Sequence, residues 1–219
     1  MSHIVRQEKM PPGHAQMHLG MDMHYAERVH LGHAEVFFEM RDARTRKVLV
    51  WWNRPNVITK DAGIIAARLH RNSLEPTATK NNGLTMLVVG TGATGNLLNP
   101  DAPQQTQRKL NNEIGRKAFS SSQFRNSSGV AVAFPTNIVD FTATFGEGEA
   151  VGPLNEMALI SAFSSNPTVV NPVNDGPDTY DATIDTTQLD LLSNYLTFSV
   201  VSKPSTATVA ITWRYTFGP

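Results

Sequence analysis

From residue 208 to residue 217 large apolar side chains alternate with small or polar ones. Val209, Ile211, Trp213, Tyr215 and Phe217 share one parity, and Thr208, Ala210, Thr212, Arg214 and Thr216 the other. Successive side chains of a strand point to opposite faces, so this pattern predicts a strand with one buried and one wet face. A sheet with a wet face is usually antiparallel. The expected core positions are Val209, Ile211, Trp213 and Phe217, with Thr212, Arg214 and Thr216 largely exposed.

The same reading along the chain gives a mainly β protein. Ala34 to Met40 and Lys47 to Trp52 are strand-like and are joined by the charged turn Arg41 to Arg46, which predicts a β-hairpin. Trp51 and Trp52 are adjacent, so one should face the core and the other the surface. Thr59 is placed to cap a short helix with Asp61 in its first turn and Ile65 and Leu69 on one side, ending near Arg71 and Asn72. Leu84 to Gly90 is a short apolar run, and a second, polar helix is expected over roughly 104–112. Further strands are expected at 115–124, 130–134, 138–145, 156–163, 180–189, 196–201 and 208–217, with a long Asn/Pro/Asp-rich loop over 166–178. This predicts an antiparallel β-sandwich or partly closed barrel with one or two short helices.

Residues 1–32 differ from the rest and are read as an extended arm ahead of a β-sandwich domain at 33–219. Five of the eight methionines (Met1, Met10, Met17, Met21, Met23) and five of the seven histidines (His3, His14, His18, His24, His30) fall in this arm, around Pro11-Pro12-Gly13. It has too few large aliphatic side chains to close a core of its own, and methionine is a flexible side chain suited to lying on another surface. The candidate partner-binding residues are therefore Met10, Pro11, Pro12, His14, Met17, His18, Met21, Met23 and His24, joined by whichever of the paired tryptophans faces out, assigned to Trp51. The His14/His18 and His30/His33 spacings could bring imidazoles together on a helix. Pro11, Pro12, Gly13 and Gly20 oppose a helix around the first pair, and no metal or other cofactor is expected.

Composition narrows the chemistry. The chain of 219 residues has no cysteine, which removes thiolate catalysis, cysteine-ligated metal and disulfides. A formal net charge of zero gives no overall basic field to hold nucleic acid. No run is long and apolar enough to cross a bilayer, and the N-terminus has no signal-peptide core. Gly90-Thr91-Gly92-Ala93-Thr94-Gly95 spells a dinucleotide-binding pattern, but Pro100 and Pro103 follow where that pattern needs a helix, so it reads as a glycine turn leaving a strand. Glu147, Glu149 and Glu156 could do paired-carboxylate work on a glycan. Flanked by Gly146, Gly148 and Gly152, they read instead as turn carboxylates, and no catalytic residue is assigned.

Several passages, in order, resemble a loosely defined family of small β-rich virion proteins of tailed bacteriophages. They are 56–63, Val88-Val89-Gly90-Thr91-Gly92, Asn112-Glu113-Ile114-Gly115-Arg116, Phe141-Thr142-Ala143-Thr144-Phe145, 149–159 and 211–217, and the likeness spans about residues 50–219. The resemblance implies a non-enzymatic structural component of the virion, assembled in the host cytoplasm, of collar/neck, head-decoration or tail-accessory type. Its expected partners are further copies of itself and capsid, portal or tail components, with no direct contact to nucleic acid or membrane. The alternatives are a receptor- or carbohydrate-binding module of a tail fibre or baseplate, using Trp51, Trp52 or the 166–178 loop, and a glycan-acting enzyme using the glutamates.

Overall fold

The computed structural model describes residues 32–71, 83–170 and 189–218. Its strands are β1 (His33–Asp42), β2 (Val48–Pro55), β3 (Val57–Ile58), β4 (Met86–Gly90), β5 (Gly95–Asn96), β6 (Asn99–Pro100), β7 (Glu113–Ala118), β8 (Ser121–Arg125), β9 (Ile138–Phe145), β10 (Gly152–Ser161), β11 (Leu191–Lys203) and β12 (Ala207–Thr216). One helix, α1 (Lys60–Arg71), lies among the described residues. Two five-stranded sheets form the sandwich, in the orders β2-β1-β12-β9-β8 and β3-β11-β10-β4-β7, with β5-β6 a small separate ribbon. All the strand pairs are antiparallel, and neither sheet closes into a barrel.

The two sheets bury their faces differently, and the sequence pattern follows. In the first sheet the inner face is dry, while the outer face is mostly half-buried or exposed. β12 alternates buried and half-buried residues along its whole length, and β1 does the same from Ala34 to Met40. Val36, Phe38, Ile211, Trp213, Ala143 and Phe145 meet Leu87, Leu154, Met157, Leu159 and Phe198 of the second sheet in the main core. The second sheet is covered on both sides. Met86, Val88, Ala158, Ile160, Leu192 and Tyr195 form a second apolar cluster with Leu110. β4 and the 157–160 part of β10 therefore read as continuous apolar runs, as strands buried on two faces do.

The hairpin of β1 and β2 forms as its sequence predicts, and Asp42 Oδ1 accepts from the Arg44 and Thr45 N–H groups to close the turn. Trp52 stacks on Phe38 with ring centroids 4.8 Å apart, while Trp51 faces outward. Several expectations need correction. Residues 104–112 form turns and bends rather than a helix, because backbone groups at Asn111 and Asn112 are taken by a side chain of β10. The strand expected at 115–124 is two strands in different sheets, with the chain crossing layers near Phe119 and Ser120. Residues 130–134 make only a single bridge, Arg125 to Ala131. Thr59 does not cap α1; its hydroxyl donates to the Leu192 and Ser193 carbonyls instead. The buried parity of β12 stops at Tyr215. Phe217 lies past the strand, exposed by 43%, with its ring stacked on Tyr215 at 4.2 Å. On the opposite parity, Thr212, Arg214 and Thr216 are half-buried rather than exposed, since Thr212 bonds to Thr142 and Arg214 to Asp140. The strand expected at 180–189 falls almost wholly outside the described residues.

Candidate functional site

Glu156 is not a turn carboxylate. It sits in β10 with 0% exposure, and both of its oxygens are engaged. Oε1 accepts from the N–H groups of Gly92 and Asn112, each at 2.9 Å, and Oε2 accepts from the Asn111 N–H at 3.1 Å and the Tyr195 hydroxyl at 2.8 Å. Asn155, its neighbour, accepts from the Ala93 N–H at 3.0 Å. Adjacent strand residues normally face opposite ways, but the β10–β11 register shifts between Leu154 and Glu156, a bulge that allows both side chains to address one loop. Burial beside Glu156 pushes the Tyr195 hydroxyl far above its ordinary range.

This arrangement explains the glycine motif. A Cβ on Gly90 would meet the Asn112 carbonyl oxygen at 2.5 Å and Glu156 Oε1 at 2.6 Å, and one on Gly92 would meet the Asn112 nitrogen at 2.4 Å. The glycines are there so that two loops can close on a carboxylate. The backbone N–H groups that a nucleotide phosphate would need are in part already spent on that carboxylate.

Several other described carboxylates have partners too. Glu149 is exposed and pairs with Lys117, and that contact and the Gly146 N–H hold its carboxyl below the usual range. Lys203 is buried beneath the same turn and donates to the Gly146 carbonyl at 3.0 Å; burial lowers its ammonium pKa, opposed by Glu149 and Glu147. On the outer face of the first sheet Asp140 accepts from Arg125 Nε and Arg214 Nε, both at 2.8 Å, and the Arg214 guanidinium lies over the Phe37 ring. Arg116 pairs with Glu113, three residues back, and with Asp190 at 2.8 Å. The Glu147, Glu149 and Glu156 trio singled out by sequence is thus divided: two lie at an exposed turn and one is buried in a loop anchor.

Asp61 is almost wholly buried and pairs with Arg108 at 3.0 Å. Burial pushes its carboxyl above the ordinary 3.8, against the pull of Arg108. The folded chain therefore keeps this proton to a higher pH than the unfolded chain, and the associated stability is full below 3.8 and lost as pH rises through the folded value. Urea unfolding of the native chain and of Asp61→Asn should show their stability difference moving in favour of Asn over that window and then levelling. A difference independent of pH would mean that Asp61 is not desolvated.

Beyond these ion pairs the described surface carries two broad apolar features. A cavity of about 640 Å³ opens at one end of the sandwich, where the first sheet faces α1. Its walls are Ile65 and Ala66 of α1, Phe124 of β8, Phe141 of β9, Tyr215 of β12 and Phe217 beyond it. Burial pushes the Tyr215 hydroxyl pKa up to about 12, against the pull of Ser193. The second apolar feature is β2, the outermost strand of its sheet, where Trp51 is 60% exposed beside Leu49 and Val48.

Of the residues selected from sequence, Trp51 is outward as expected. Met10, Pro11, Pro12, His14, Met17, His18, Met21, Met23 and His24 lie outside the described residues, as does His30 of the second histidine pair. Among the described residues no three His, Asp or Glu side chains are grouped to hold a metal, and no helix is long and apolar enough to cross a membrane. The cavity had no sequence signal, because its walls come from six separate stretches of chain. Compared with protein-family models and with curated proteins, the chain matches none.

Proposed function

We propose that this protein is a non-enzymatic structural component of a tailed-phage virion. It assembles as a symmetric homo-oligomer on the head, the neck or collar, or the head-to-tail region, and its N-terminal arm reaches a neighbouring subunit. The observation that carries the contact role is the exposed strip Val48, Leu49 and Trp51 on the outermost strand of a sheet. An outermost strand offers backbone groups for pairing, and a large exposed aromatic is the kind of side chain that anchors interfaces. The fate of Glu156, Asp140 and Asp61, each buried against donors of its own fold, favours a structural over a catalytic use of these carboxylates. The virion part of the reading rests on the likeness of residues 50–219 to phage virion proteins. Symmetric repetition would multiply individually weak contacts.

The test has two parts. Light scattering of the full chain should give an oligomer that Trp51→Glu weakens without changing the melting temperature, and mass spectrometry should find the tagged chain in purified particles assembled in its presence. A monomer at all concentrations that is absent from particles would sink the reading. Saturable glycan binding lost on Trp51→Ala would replace it with the fibre-module alternative.

A further inference from the structure

We infer that the apolar cavity between α1 and the first sheet receives the Leu97-Leu98 tip of a second copy of this chain, so that subunits join tip to cavity. The inference rests on the homo-oligomer proposed above and names one contact within it, separate from the Trp51 strip.

The first argument is how the tip is held. β5 and β6 form a short ribbon whose turn carries Leu97 and Leu98, exposed by 60% and 73%. Leu98 is the most exposed large apolar side chain among the described residues. The turn is nevertheless fixed. The Val200 N–H donates to the Leu97 carbonyl at 2.8 Å, the Ser199 hydroxyl to the Leu98 carbonyl at 2.6 Å, and the Leu98 N–H to Asn96 Oδ1 at 2.8 Å. At the base of the ribbon the Thr197 hydroxyl donates to the Asp101 carbonyl at 2.7 Å. Both leucine carbonyls are satisfied within the subunit, and the side chains are left facing out. A group ordered before it docks loses less freedom on docking.

The second argument is the match of chemistry and size. From Gly90 to Pro100 the chain has no charged residue, so burying the tip strips no ion of its water. Among the described residues no charged side chain lines the cavity either. Ligand-sized cavities run from about 300 to 1,000 Å³, and this one, at about 640 Å³, has room for both leucines. Leu69 and Phe217, which line it, are about half exposed, so it can be entered from outside.

The third argument is position. Ser193 of β11 lines the cavity, while the tip is bonded to Ser199 and Val200 of the same strand, roughly 20 Å further along at about 3.3 Å per residue. Pinned there, the tip does not reach the cavity of its own subunit. A contact between two different patches is heterologous: each subunit gives a tip and receives one. Such contacts close into a ring when the rotation between neighbours divides a full turn, which is the symmetric assembly proposed above.

Two variants of the full chain test this. One carries Leu97→Asp with Leu98→Asp and lacks the tip. The other carries Ala66→Phe, or Ser122→Trp should the first fold poorly, and lacks the cavity. Circular dichroism checks the fold, and native mass spectrometry reads the assembly of each variant and of their equal mixture. Each variant alone should associate about tenfold or more weakly than the native chain. The mixture should form a one-to-one complex that neither forms alone, because the first variant still offers a cavity and the second still offers a tip. A native chain that assembles but is indifferent to both changes would overturn this contact and leave the homo-oligomer standing, whereas a monomeric native chain would remove both. An effect of the cavity variant alone would also overturn it, by giving the cavity another occupant. Two weakened variants that form no complex when mixed would do the same, by placing both changes on one self-complementary surface.

Discussion

Glu156→Ala should destabilise the fold by about 3–5 kcal/mol, as several buried donors lose their acceptor together. The substitution leaves three backbone N–H groups and the Tyr195 hydroxyl facing a void. Each buried donor left without a partner costs about 1–3 kcal/mol where water cannot replace it. Glu156→Gln keeps the shape but sets an NH2 against donors, so about 1–3 kcal/mol is expected. Tyr195→Phe removes one donor and leaves the other three bonds, and should cost about 1 kcal/mol. The ordering Ala, then Gln, then Tyr195→Phe, read from urea midpoints, distinguishes a loop anchor from a catalytic acid, because an acid exchanged for an amide would lose activity while leaving stability nearly intact. Equal stability of Glu156→Ala and the native chain would refute the anchor.

Trp213→Ala should cost about 3–5 kcal/mol through the cavity it leaves. The indole is fully buried between Val36 of β1 and Phe141 of β9 in the centre of the first sheet. Trp213→Phe should be far milder. It retains a buried ring and also removes the indole N–H, which has no hydrogen-bond partner among the described residues. Calorimetry of the two variants checks both numbers, and a Phe variant as damaging as the Ala variant would show that the indole edge has a role not accounted for by packing.

The sequence was most legible where one face of a strand is wet. Periodicity located β1, β2, β9 and β12 because the first sheet sorts its residues by parity, and it assigned Trp51 and Trp52 to opposite faces. It ran out where burial is two-sided or where long-range contacts decide local shape. The polar stretch 104–112 has helix-forming side chains, yet its backbone is drawn to Glu156, 44 residues away from Asn112. The two strands expected as one at 115–124 carry no punctuation stronger than Phe119 and Ser120, although the chain changes sheets there. Glu156 itself was read with Glu147 and Glu149 because all three are close in sequence; only the bulge in β10 and the fold of two distant loops separate them.

The place of β12 within its sheet bears on how the chain is made. β12 lies between β1 and β9, so the earliest and a middle strand of that sheet meet only through residues 207–216. During synthesis the β1–β2 and β8–β9 pairs can form as they emerge, but each leaves one apolar edge and one apolar face open until the later strand leaves the ribosome. Pairings so distant in sequence are slow to form, and open strand edges invite the wrong neighbour. Nascent chains arrested before residue 207 should therefore be captured by chaperones and cut readily by protease, and resistance should appear in one step when residues 207–216 are free.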